Sequence, residues 1–143
     1  MKIFIRQISS DDASAVTLLS HQLGYNPSVE QTAANIRAIL RSENNNGFVA
    51  VNENEVIGWI GVSQAFQIES PPLAEIRGLV VHDQYRNKGI GKMLVEKAKS
   101  WSREKGNKKL RLRCNMKRKE THLFYLHLDF KEVKEQKVFE IDT

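Results

Sequence analysis

Gly78-Leu79-Val80-Val81-His82-Asp83-Gln84-Tyr85-Arg86-Asn87-Lys88-Gly89-Ile90-Gly91-Lys92-Met93-Leu94 reads as an apolar strand, a polar turn and the opening of an amphipathic helix. Gly89 and Gly91 let a ligand approach the main chain closely, and a helix N-terminus offers unpaired N–H groups and a favourable dipole. The stretch therefore fits an anion, and a phosphorylated ligand in particular. Two phosphate motifs can be tested against it. A P-loop needs Ser or Thr after Gly-Lys, and here Met93 follows Gly91-Lys92. A dinucleotide fingerprint needs a third Gly where Leu94 stands. Both readings fail.

Outward from this turn, the chain reads as one continuous domain over residues 1–143. Lys2 to Ile8 is a first strand. Ser9-Ser10-Asp11-Asp12 is a helix start, because short oxygens cap free N–H groups and acids suit the first turn. Ala15, Leu18, Leu19 and Leu23 share a helical face that stops at Gly24. A second helix follows Pro27-Ser28 with Val29, Ala33, Ile36, Ile39 and Leu40 at helical spacing. Phe48 to Val51 and Val56 to Ser63 form a hairpin around Asn52-Glu53-Asn54-Glu55. Leu73 to Val81 is the next strand, and a helix from about Lys88 to Lys105 ends at Gly106-Asn107. Lys108 to Cys114 alternates, with Leu110, Leu112 and Cys114 on one side and Arg111 and Arg113 on the other. Arg118 to Leu128 is a short helix, and Phe130 to Val133 and Lys137 to Ile141 are two final strands. The order β-α-α-β-β-β-α-β-α-β-β implies an α/β (α+β) fold: a mixed, mostly antiparallel twisted sheet with helices on both faces.

Composition narrows the function classes. With 41% hydrophobic and 27% charged residues the chain suits a soluble globular domain. No apolar run approaches the roughly 20 residues of a membrane helix, so no membrane partner is expected. Cys114 is the lone cysteine, which fits a reducing cytoplasmic setting. Net charge is +5, and eight Lys or Arg lie between 105 and 119 with no acid among them. A solvated face or attraction of a small anion explains this run. Nucleic acid ranks lower, because no aromatics interleave the basic residues. The four His lack ligand spacing with one another or with Cys, so no metal is expected.

Arg86, Gly89 and Gly91 meet the pattern Arg/Gln-x-x-Gly-x-Gly/Ala, and the segment resembles the acyl-CoA-binding signature of the GNAT family of N-acetyltransferases. Asn115, Arg118, His122 and Phe124-Tyr125 resemble the family's later Asn and Phe-Tyr motif, and Val49 to Val51 with Val56 to Trp59 resemble its second and third strands. The resemblance spans nearly the whole chain. One departure is Asp129-Phe130 where the family usually has Gly-Phe; Asp tolerates the left-handed backbone this turn needs.

What the resemblance implies is an acetyl-CoA-dependent acyltransferase acting on a small-molecule or peptide amine, with a homodimer as a further expectation. Backbone N–H groups from Arg86, Asn87, Lys88, Gly89, Ile90, Gly91 and Lys92 hold the pyrophosphate. The main-chain edge of Leu79, Val80 and Val81 pairs with the pantetheine arm and polarises the thioester carbonyl. Asn115 contacts the cofactor or caps a helix. Tyr125 is the acid that returns a proton to the departing thiolate. The amine must shed a proton to a general base or a water chain, and Glu75 is the first choice of side chain, ahead of Glu69 and His122. A CoA-binding regulatory module without turnover, and a basic nucleic-acid-binding domain, are the alternatives.

Overall fold

Residues 1–114 and 116–143 are described by the computed structural model. They fall into two compact units, Met1–Arg113 and Cys114–Thr143, which are described in turn.

The first unit runs β1 (Ile3–Gln7), α1 (Ala13–Ser20), α2 (Val29–Leu40), β2 (Asn45–Asn52), β3 (Glu55–Ala65), β4 (Leu73–Val81), α3 (Ile90–Glu104) and β5 (Leu110–Leu112). Its strands lie side by side in chain order, β1-β2-β3-β4-β5. The first four are antiparallel neighbours; β2–β3 and β3–β4 are hairpins, while α1 and α2 lie between β1 and β2. β5 runs parallel to β4 because α3 carries the chain back across the sheet between them. The sheet is thus mixed and mostly antiparallel, as the alternation of elements implied.

Local chemistry sets the helix boundaries. Ser9 and Asp12 form a reciprocal capping box at the first helical turn, and Asp12 also takes a two-pronged ion pair from Arg6 at 2.8 and 2.9 Å. Ser28 caps α2 by accepting from the Gln31 N–H at 3.1 Å. Buried Thr17 on α1 donates to Thr32 on α2 at 2.8 Å, which fixes the rotation of the two helices against each other.

Alternation along β2 explains the layers. Val49 and Val51 join Ile8, Ala13, Val16 and Ile36 in a buried cluster beneath α1 and α2, with Trp59 packed beside it. Phe48 faces the other way, where Lys97 of α3 lies over its ring at 5.3 Å. The buried side of α3 is Ile90, Leu94, Val95, Ala98 and Trp101. Helices therefore cover both faces. β2 begins at Asn45, earlier than the expected Phe48, because Gln64 donates to the Asn44 carbonyl at 2.7 Å and extends the hairpin. β5 is shorter than the alternating run Lys108 to Cys114.

The second unit holds α4 (Lys119–His127). It ends in a Schellman motif: Phe130 N–H bonds to the Tyr125 carbonyl and Asp129 N–H to that of Leu126, both at 3.1 Å. Asp129 adopts φ +69°, the left-handed conformation expected at this turn. The two final strands expected at 130–133 and 137–141 are a correction. Residues 131–143 form no strand and are exposed, Val133, Val138, Phe139 and Ile141 included. A strand is stable only when its N–H and C=O groups find a ladder, which apolar residues among dense Lys and Glu do not supply.

Candidate functional site

The turn after β4 is built by three local devices. His82 Nδ1 accepts from the Gln84 N–H at 3.1 Å and starts a single 3-10 turn, Asp83–Tyr85. Asn87 and Gly89 then take φ +62° and +80°, so the chain reverses through two left-handed residues on either side of Lys88. Space where a Gly89 side chain would stand is open, with no atom within 4 Å. Finally, α3 begins at Ile90 with no side chain capping its first N–H groups. The amides of Ile90, Gly91 and Lys92 occupy the first turn, whose donors have no intrahelical acceptor. The charged side chains of the turn have partners of their own. Arg86 pairs with Asp83 at 2.8 Å and donates to Gln22 at 3.1 Å, and Lys88 lies over the Tyr85 ring. The first-turn amides are free of side-chain caps and, with the helix dipole, have the chemistry to receive an anion.

β4 leads into this turn and is interrupted halfway. Its register with β3 shifts at Gly61/Val62, which makes Arg77 a bulged residue. On its other side β4 pairs with β5 only at Ala74, Glu75 and Ile76. β5 ends at Leu112, the partner of Ile76, so among the described residues the edge of Gly78, Leu79, Val80 and Val81 on that side carries no ladder. The bend is tightly fitted: Trp59 lies so close to Gly78 that a Cβ there would sit 2.6 Å from its ring. Leu79, Val80 and Val81 thus present a main-chain edge leading straight to the turn.

Glu75 stands in the paired part of β4, 4% exposed, and is ringed by guanidinium groups. Arg111, its register partner on β5, is hydrogen-bonded to Oε2; Arg113 reaches Oε1 at 2.7 Å and Arg77 reaches it at 3.2 Å. Burial alone would raise the Glu75 pKa, but the Arg111 hydrogen bond and the charges of Arg113, Arg111 and Arg77 outweigh it and hold the carboxyl below its ordinary value. The carboxylate is therefore ionised and a weakened proton acceptor. Sequence reading found Glu75 but not the cluster. Its signals were the alternation of Arg111 with Arg113 and the spacing of Glu75 and Arg77, and only the β4–β5 register joins them.

In the second unit, Tyr125 packs edge-on against Phe124 and Phe130, with ring centroids at 5.1 and 5.5 Å. Burial, then the charge of Cys114, push its pKa up to about 12, against a smaller opposing effect of Arg118. Its hydroxyl is protonated across the neutral range. Asn115 lies outside the described residues. Glu69 sits exposed in the bend between β3 and β4, and His122 is on α4. No helix among the described residues is long and apolar enough to cross a membrane.

Comparison with known proteins accords with this geometry. The family described as "Acetyltransferase (GNAT) family" matches residues 13–130. The aminoalkylphosphonate N-acetyltransferase of Salmonella typhimurium is 29% identical over 134 residues, covering 90% of this chain and 84% of its own. The aminoglycoside 6'-N-acetyltransferase AAC(6')-Iy, solved with a bisubstrate analogue of CoA and acetylneamine, superposes with a TM-score of 0.88 at 19% identity over 100% of both chains. An aminoglycoside 6'-N-acetyltransferase from Acinetobacter haemolyticus gives a TM-score of 0.86 at 17% identity, covering 98% of this chain and 99% of its own.

Proposed function

The chain belongs to the GNAT family of acetyltransferases, and we propose that it moves the acetyl group of acetyl-CoA to a primary amine by direct attack while both are bound. The observation that carries this reading is the continuous path from an unpaired strand edge at Leu79, Val80 and Val81 into an uncapped helix N-terminus at Gly89–Lys92. The amides of the turn hold the pyrophosphate. The strand edge receives the pantetheine arm as an added strand would be received. An N–H of Leu79 or Val80 polarises the thioester carbonyl and stabilises the oxyanion that forms when the amine attacks. Asn115 is a further proposed cofactor contact, carried by the family motif alone.

Catalysis rests mainly on holding amine and thioester together. The amine nitrogen forms the new C–N bond, the C–S bond breaks, and CoA leaves as a thiolate that must gain a proton. Tyr125 is the proposed donor, carried by the family motif: with its pKa pushed up to about 12 the phenol is protonated at neutral pH and has a proton to give. Glu75, expected as base, is ionised, but its partners weaken it as a proton acceptor. We assign loss of the amine proton to water. The acceptor is set by residues outside the turn, and the relatives named above act on chemically different amines, which leaves the class of amine to the cleft itself.

The test is release of CoA thiol from acetyl-CoA across a panel of primary amines, with N-acetylated product identified by mass. Turnover with at least one amine supports the reading. Tight acetyl-CoA binding with no thiol release for any amine would replace the enzyme by a binding module.

A further inference from the structure

The end of the β4–β5 pairing carries more positive charge than the fold needs. One buried carboxylate, Glu75, faces Arg77, Arg111 and Arg113. Arg111 is largely covered, with 19% side-chain exposure, and its pairing with Glu75 accounts for one charge of each sign. Arg77 and Arg113 remain 61% and 53% exposed while still anchored to the same carboxylate oxygen. A structural ion pair would be complete with one arginine. Here two further guanidinium groups are held in place by a single acid, one on the bulge of β4 and one just past the end of β5.

Resting on the acetyl-transfer reading above, we propose that Arg77 and Arg113 form a subsite for an oxyanion on the acceptor, so that the substrate is a short primary amine bearing a phosphonate, phosphate or carboxylate. Three observations carry this. The cluster has a net charge of +2, which attracts an anion and repels a polyamine. Guanidinium groups present planar paired donors that match oxyanions, and anchoring to Glu75 removes part of the entropy that ordering them on binding would cost. Their position also fits. Arg77 lies on β4, the same strand whose Leu79–Val81 edge is assigned to the thioester, so an oxyanion at the arginines and an amine at the thioester belong to one short acceptor. Glu75 is then a positioning residue: it orients the guanidinium groups and keeps their spacing.

The experiment is calorimetry on the protein saturated with CoA, titrated with 2-aminoethylphosphonate, n-propylamine and 1,4-diaminobutane. The phosphonate is expected to bind at least about tenfold tighter than either other amine, and Arg77→Gln and Arg113→Gln each to lose about ten- to hundredfold for the phosphonate alone. Arg77→Lys and Arg113→Lys keep charge without the fork and fall between. Equal affinity of the unchanged protein for 2-aminoethylphosphonate and n-propylamine overturns the proposal, as does no binding of any of the three. Equal losses for phosphonate and propylamine in the Gln variants also overturn it. The two readings separate cleanly: the expected binding pattern without CoA release on adding acetyl-CoA would defeat acetyl transfer and leave the subsite standing.

Discussion

Glu75 and Tyr125 illustrate how far a residue's type announces its role. Both are plausible proton carriers by chemistry, and environment separates them. Glu75 sits among cations that favour its charged form, so Glu75→Gln removes a carboxylate that several donors need. We expect a loss of about 2 kcal/mol in unfolding free energy, from guanidinium groups left without their acceptor. The rise of kcat/KM with pH should persist in this variant, because that limb belongs to the amine. A loss of the limb in Glu75→Gln would restore Glu75 as the base. Tyr125→Phe should lower kcat by on the order of hundredfold while acetyl-CoA affinity changes little. With its pKa near 12, Tyr125 should cause no alkaline fall in rate below about pH 11. Unchanged turnover in the Phe variant would remove Tyr125 from the chemistry. Neither environment was legible in the sequence, since the Glu75 partners at 111 and 113 lie more than thirty residues away and meet it only through strand register.

At the scale of elements, patterns with strong local physics were read closely. β4 spans the expected Leu73 to Val81, and α3 stops where Gly106 ends it, because strand composition and a left-handed terminator act within a few residues. The strand-to-helix turn was legible for the same reason: its glycines act within a few residues. The bulge at Arg77 was not legible, since it depends on pairing with Gly61 and Val62 across a hairpin. Substitutions test both features. Gly89→Val places a β-branched residue at φ +80° and should cost about 1–2 kcal/mol of stability, with acetyl-CoA affinity falling as the turn's amides move. Gly78→Ala drives a methyl into the Trp59 ring and should cost about 1–3 kcal/mol, readable as a lowered urea midpoint. A neutral Gly78→Ala would mean that Trp59 does not hold the bend. The last two expected strands failed because apolar residues alone do not make a strand; residues 131–143 have no ladder to join among the described residues.

For the whole molecule, the two buried acids link stability to pH. Burial alone would raise Asp12, but its Arg6 hydrogen bond, the Ser9 N–H and the Arg6 charge hold it below its ordinary 3.8, as the arginines hold Glu75 below 4.5. Depressed folded-state values mean that this stabilisation is complete above the ordinary values and disappears as pH falls through the lower folded ones. Urea midpoints should be flat from neutrality to about pH 5 and drop below about pH 4, with the drop reduced in Asp12→Asn. A midpoint that is unchanged down to pH 2 would contradict the assignment.

Acetyl-CoA and acetylpantetheine, titrated separately into the protein by calorimetry, differ in the 3′-phosphoadenosine diphosphate, whose diphosphate the Arg86–Lys92 amides are assigned to hold. Acetyl-CoA should bind one to one and acetylpantetheine at least about a hundredfold more weakly, the loss of two charge-assisted contacts. Equal affinity for the two, or no heat from acetyl-CoA at millimolar concentration, would contradict a turn built to grip an anion.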